Sequence, residues 1–123
     1  MKIMEKPHKK LDAWKESINL VMLVYELTRQ FPKNEIFGLI SQLRRAVISI
    51  PGNIAEGAAR QTRREFVQFL YIARGSLSEA DTYIEIARRL GYIEKGPIAV
   101  VEQKIMDVDK IITGLIQSLK RKT

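Results

Sequence analysis

Three arginines, Arg60, Arg63 and Arg64, crowd around Thr62 in the stretch "ARQTRREF". The tetrapeptide "TRRE" reads as a helix start, with Thr62 as cap and Glu65 reaching back from the first turn. Cations there oppose the positive end of the helix dipole, at a cost of a few tenths of a kcal/mol each. The same helix start attracts anions through its unsatisfied N–H groups. Two explanations stand side by side. Either the arginines contact a phosphate backbone, or they form a solvated turn in which Glu65 offsets part of the repulsion. Arg44 and Arg45, in "QLRRA", extend the basic character, although successive helical residues diverge by about 100°. Arg44, Arg45, Arg60, Arg63 and Arg64 are therefore the candidate nucleic-acid-binding residues. The sequence shows neither an aromatic-glycine RNA-recognition pattern nor a helix-turn-helix element, so any binding would read backbone or shape rather than base edges.

A second constellation is polar and spans two helices. Asn53 and Glu56 lie one helical turn apart, and Arg74, Ser76 and Glu79 occupy one stretch of a later helix. A buried carboxylate must be paired or neutralised, and arginine offers a bidentate partner, so Arg74 and Glu79 could meet Asn53 and Glu56. The set reads as a polar lock fixing helix register or subunit contacts, or as a ligand pocket.

Other chemistry finds no support. The one histidine, His8, stands in a basic N-terminal segment and has no evident acid partner, which removes a Ser-His-Asp arrangement. No Glu-x-x-His pair occurs, so a di-metal bundle site is disfavoured. The chain contains no cysteine, which excludes disulfides, zinc-thiolate sites and thiol nucleophiles. "GNIAEG", Gly52 to Gly57, lacks the Gly-Lys-Ser/Thr ending and a preceding strand, so it is not a phosphate loop. Ser76 and Ser78 have no lysine or histidine at usable spacing. Neither catalytic residues, nor a metal, nor a cofactor is expected.

The remaining features bound the class of protein. The 123 residues suffice for one domain, 1–123, with a single core, and a hydrophobic share of 46% beside 28% charged residues argues against disorder. Twenty-one Lys and Arg against 14 acids give a net charge of +7, which favours polyanionic partners. The ends hold most of it: residues 1–10 carry four Lys and one Glu, and Lys120, Arg121 and Lys122 close the chain. No apolar leader and no run long enough to span a bilayer is present, and a cytoplasmic location is the plain expectation.

Apolar spacing predicts four helices to position these groups. Leu11, Trp14, Ile18, Val21, Tyr25, Thr28 and Phe31 form the stripe of the first, with Asp12 as cap and Pro32 as stop. Ile36, Ile40, Leu43, Val47, Ile50, Ile54 and Gly57 form the second, capped by Asn34. Pro51 removes a backbone donor and crowds the Val47 carbonyl, yet the rhythm continues through it, which predicts one kinked helix. The third runs from Thr62 to Leu90 with Phe66, Phe69, Leu70, Ala73, Leu77, Ala80, Ile84 and Ala87 inward, and ends at Gly91. The fourth starts with Pro97 at its first position and buries Ile98, Val101, Ile105, Val108, Ile112, Leu115 and Leu119. Short connections predict an all-α, antiparallel up-down-up-down four-helix bundle.

Helices two and three carry a further face. Ala46, Ser49, Asn53, Glu56 and Ala59/Arg60 flank the core stripe of one. Ile72, Ser76, Glu79, Tyr83, Ile86 and Leu90 flank that of the other. A few exposed apolar residues are ordinary, but a contiguous stripe suits self-association.

The segment from Leu11 to Ile93, with Trp14, "FP" then "GL", "QLRRA", "SIPGNIAEG", "REF" and "ARGSLSE" in order, resembles the 23S rRNA-intervening-sequence proteins. It is also similar to the accessory variability determinant proteins of diversity-generating retroelements. Gly52 departs from the serine more often found at that place. The resemblance implies a four-helix bundle, often a homopentamer, of bacterial origin, with no established enzymatic activity and an inferred link to RNA. It directs attention to Arg44, Arg45, Asn53, Glu56, Gly57, Arg60, Glu65, Phe66, Arg74, Gly75, Ser76 and Glu79. The expectation is a non-enzymatic homo-oligomer that binds RNA or another nucleic acid through Arg60, Arg63, Arg64 and the tails. The alternatives are a scaffold for a protein partner and a small-molecule pocket around Asn53, Glu56 and Arg74.

Overall fold

A computed structural model describes residues 7–121, and Lys2, Lys6 and Lys122 of the basic ends lie outside them. The chain folds into an all-α four-helix bundle: α1 Asp12–Thr28, α2 Leu39–Ala58, α3 Arg63–Arg89 and α4 Lys95–Arg121. Single turns of 3-10 helix, Pro7–Lys10 and Lys33–Glu35, precede α1 and α2. The packing pairs are α1 with α2, α2 with α3, α3 with α4, and α4 with α1, a closed square in which diagonal helices do not approach.

Inter-helix contacts show how neighbours are oriented. Gly57 of α2 faces Phe66 and Phe69 of α3, while Ser49 meets Ser76. Along α3 and α4, Arg88 pairs with Glu102, Arg74 with Thr113 and Tyr71 with Lys120. In both pairs residue numbers fall along one helix as they rise along the other. The end of α2, the start of α3 and the end of α4 therefore share one end of the bundle.

The core is aliphatic. Leu20, Leu43, Ile50, Ile54, Leu70, Ile84, Ile98 and Ile112 are fully enclosed, each burial stabilising the fold by about 1.5–3 kcal/mol relative to exposure. The buried hydroxyls of α1 are satisfied locally: Ser17 donates to the Trp14 carbonyl at 2.8 Å and Thr28 to that of Val24 at 2.9 Å. Backbone helicity continues through Pro51, which is itself buried, as the unbroken spacing across it required.

Several expectations need correction. The deep stripe of α1 is Ala13, Ser17, Leu20, Val24, Leu27 and Thr28. Leu11, Trp14, Ile18, Val21 and Tyr25 are only half-buried, because the helix is rotated by about one residue toward its small side chains. Its cap position belongs to Leu11, in extended conformation, and Asp12 is the first helical residue. Asn34 does not cap α2, since Lys33–Glu35 forms a separate turn and Gly38 occupies the cap position. Glu35 takes over part of the capping, accepting from the Leu39 N–H through Oε1 at 3.2 Å. Pro97 is the third residue of α4, still within the turn whose N–H groups need no intrahelical acceptor. On α3, Phe66 and Phe69 are half-buried and Val67 takes the inner position. On α4, Ile116 lies inside while Leu115 and Leu119 are half-buried, the drift of a 3.6-residue helix against a strict heptad.

The start and stop of α3 follow their sequence signals. Thr62 is extended and its hydroxyl oxygen accepts from the Glu65 N–H at 3.2 Å. The Glu65 carboxylate accepts from the Thr62 hydroxyl at 2.9 Å, so the carboxylate returns to the side chain of the cap. Gly91, at φ 73°, closes the helix. The Tyr92 N–H reaches the Ala87 carbonyl and the Gly91 N–H that of Arg88, the paired bonds of a left-handed C-terminal turn.

Candidate nucleic-acid interface

The shared end of the bundle gathers Arg60, Arg63 and Arg64 with Lys120 and Arg121, because α2 ends there, α3 begins there and α4 runs back to it. Arg60 lies in the turn between helices, with its guanidinium 3.6 Å from Glu56 and 4.9 Å from the centre of the Phe69 ring. That pair is exposed and contributes little to stability. Its effect is to orient the arginine beside the helix start.

Arg63 and Arg64 form part of a cleft of about 450 Å³, completed by Val67, Gln68, Tyr71 and Lys120. Lys120 donates to the Tyr71 hydroxyl at 2.9 Å. This bond, with the nearby positive charges of Lys120 and Arg74, holds the Tyr71 phenol below its ordinary range despite partial desolvation. Val67, Gln68 and Tyr71 were not legible as a site from sequence. The spacing 63, 64, 67, 68, 71 is that of one helix face, but only the tertiary fold brings the end of α4 beside it.

Arg44 and Arg45 do not join this group. They lie in the first half of α2, about 20 Å along the axis from its C-terminal turn at 1.5 Å per residue. The Arg44 Nε donates to Thr28 Oγ1 at 2.9 Å and its guanidinium covers the Tyr25 ring at 4.4 Å, tying α1 to α2. Arg45 is exposed, beside a shallow hollow that also includes Tyr25, Ile36, Ile40 and Ile48.

The polar constellation is only partly assembled. Ser49 and Ser76 hydroxyls meet at 2.6 Å, and Asn53 Nδ2 donates to the Ser49 carbonyl at 2.8 Å and to its hydroxyl at 3.1 Å. This is a small neutral lock across α2 and α3, with Ser76 buried. Arg74 turns toward α4, where Nη1 donates to Thr113 Oγ1 at 3.3 Å and Cζ lies 5.1 Å from the Tyr71 ring centre. Two residues on a helix are about 200° apart, so Arg74 and Ser76 face opposite neighbours. Glu56 takes Arg60, and Glu79 accepts from the Tyr83 hydroxyl at 3.3 Å. Among the described residues no group of three or more His, Asp or Glu side chains is placed to hold a metal ion. No described helix is long and apolar enough to cross a membrane.

Of the flanking stripe of α3, Ile72 is 51% exposed, Ile86 42% and Leu90 54% in the single chain, while Tyr83 is half-buried against the core and Ser76 is buried. Phe37, in the turn before α2, is 93% exposed.

Comparison with known proteins places this architecture. A family model described as 23S rRNA-intervening sequence protein matches residues 9–114. A crystal structure of a protein of unknown function from the S23 ribosomal protein family of Bacteroides thetaiotaomicron is similar, with TM-score 0.78 and 22% identity over 85% of this chain and 97% of that one. That likeness establishes the shared fold. No curated protein matches the chain significantly.

Proposed function

Because the chain belongs to the 23S rRNA-intervening sequence protein family, we propose that it is a non-enzymatic RNA-binding protein working as a homo-oligomer, a pentamer by family resemblance. The observation that carries this reading is the convergence of Arg60, Arg63, Arg64, Lys120 and Arg121 on one end of the bundle, next to the start of α3. Phosphate neutralisation by such a cluster releases counterions and supplies affinity without sequence readout. The net charge of +7 per chain is multiplied in a ring, which strengthens the field at a repeated basic end. The exposed Ile72, Ile86 and Leu90 stripe supports self-association.

RNA affinity measured for the wild type, for Arg60→Ala/Arg63→Ala/Arg64→Ala and for Arg45→Ala tests this reading. The triple variant should lose at least tenfold and Arg45→Ala little. Equal affinity for the triple variant and the wild type would reject the site. Sedimentation at known concentration tests the assembly, and a stable single chain would reject it.

A second reading rests on Ile36 and Ile48, exposed at the Arg45 hollow, and on Phe37, exposed next to Ile36 in the chain. They suit a protein partner, with basicity incidental. Co-purification with a protein and without nucleic acid would favour it.

A further inference from the structure

The cleft between the first turns of α3 and the last turn of α4 has two kinds of wall. Val67 and the ring of Tyr71 make an apolar floor, with Gln68 beside it, and Arg63, Arg64 and Lys120 supply cations. A surface that bound only phosphodiester backbone would need the cations alone. A floor with an aromatic ring suits a planar, weakly polar body joined to an anion. About 450 Å³ falls within the range of small-molecule sites.

Tyr71 is oriented for such a role. Its hydroxyl is fixed by Lys120 at 2.9 Å. Arg74 and Lys120 lie 5.1 and 5.4 Å from the ring centre, and of the two only Lys120 lines the cleft. Tyr71 as a whole residue is 41% exposed. Aromatic rings held in this way stack nucleobases irrespective of sequence, and adjacent cations take the phosphates. Gln68, on the same face, brings a donor and an acceptor suited to a base edge.

We infer that this cleft receives one unpaired nucleotide of a bound RNA, a strand end or a bulged residue, with the base against Tyr71 and its phosphates on Arg63 and Arg64. The inference rests on the RNA-binding reading and deepens it: the basic end then prefers RNA with an extruded nucleotide over a fully paired helix. An acidic peptide would satisfy the cations but leave the aromatic floor unused.

The test compares binding of a blunt RNA duplex with the same duplex carrying a single-nucleotide 3′ overhang or a central one-nucleotide bulge. Wild type, Tyr71→Phe, Tyr71→Ala and the arginine triple variant are measured by fluorescence anisotropy, with circular dichroism melts as a fold control. Wild type should bind the overhang or the bulge about 5- to 150-fold more tightly than the blunt duplex, from the stacking contribution of one base. Tyr71→Phe should keep that preference. Tyr71→Ala should erase it, bringing overhang and bulge affinity down to that for the blunt duplex.

Equal affinity for all three RNAs, still dependent on the arginines, would overturn the cleft assignment and leave the RNA-binding reading standing. No measurable RNA binding, or binding unaffected by the triple substitution, would overturn both. Displacement of overhang RNA by polyglutamate as readily as by adenosine monophosphate at matched charge would show that the cleft senses charge alone, and that result also overturns the inference.

Discussion

Replacing Gly57 by alanine sets two opposing effects against each other within one turn of α2. Alanine is the better helix former, by about 0.8–1 kcal/mol. A Cβ at residue 57, however, would lie 2.8 Å from Phe69 Cβ, 2.9 Å from Phe66 Cδ1 and 3.3 Å from the Phe66 carbonyl oxygen. The Phe66 ring can swing away, but Phe69 Cβ is fixed to the α3 backbone, so the helices must separate. Overpacking of this kind costs about 1–3 kcal/mol. The packing penalty prevails, and Gly57→Ala should be less stable than wild type by about 1 kcal/mol. Gly52→Ala and Gly114→Ala serve as controls, since nothing lies within 4 Å of the added methyl. They should gain about 0.5–1 kcal/mol. For a chain of this length each kcal/mol moves the melting temperature by about 4 °C, so roughly 8 °C should separate Gly57→Ala from Gly114→Ala. Urea and thermal denaturation at fixed protomer concentration measure this, because association alters apparent stability. A Gly57→Ala protein that melts with or above the controls would refute the close α2–α3 approach.

Two further substitutions probe the frame of the site. Thr62→Ala removes the oxygen that accepts the Glu65 N–H at 3.2 Å and should cost about 1 kcal/mol in urea denaturation, while Thr62→Ser should recover most of it. Glu35 accepts from the Tyr92 hydroxyl at 2.6 Å and from the Leu39 N–H, which hold its carboxyl below the usual 4.5. The same bond, with partial desolvation, raises the Tyr92 phenol above 10.0. A depressed carboxyl contributes stability that is present above its unfolded value and disappears as pH falls through the folded one. A raised phenol contributes below its unfolded value and loses its contribution as pH climbs through the folded one. Stability should therefore decline on both sides of a plateau from about pH 4.5 to 10. Tyr92→Phe should flatten the alkaline limb and soften the acid one, and melting temperatures recorded across pH would show whether it does.

Much of the frame could be read from residue order. Three-four spacing located all four helices, and Thr62 with Glu65 and Gly91 marked both limits of α3, because these signals are local. The rotation of α1 was not legible, since Ala13 and Ser17 are too small to look like core beside Leu11 and Trp14, and the choice between two adjacent stripes is made by neighbouring helices. The α2 start was hidden because Glu35 caps from a preceding turn, through Gly38, rather than from within the helix. At the candidate site, Arg60, Arg63 and Arg64 stood out as cations in an unfavourable place. Tyr71 gave no such signal, since its pairing with Lys120 joins residues 49 positions apart. Arg44 carried the same charge as its neighbours, yet Thr28 and Tyr25 make it a tie between helices.

The salt dependence of RNA affinity, compared between wild type and Arg60→Ala/Arg63→Ala/Arg64→Ala, bears most directly on the proposed basic end. Log affinity should fall linearly with log salt for the wild type, and the triple variant should show a slope shallower by about 2–3, because each arginine removed leaves one phosphate with its counterion. A flat salt dependence, or identical slopes for the two proteins, would contradict RNA binding at this end of the bundle.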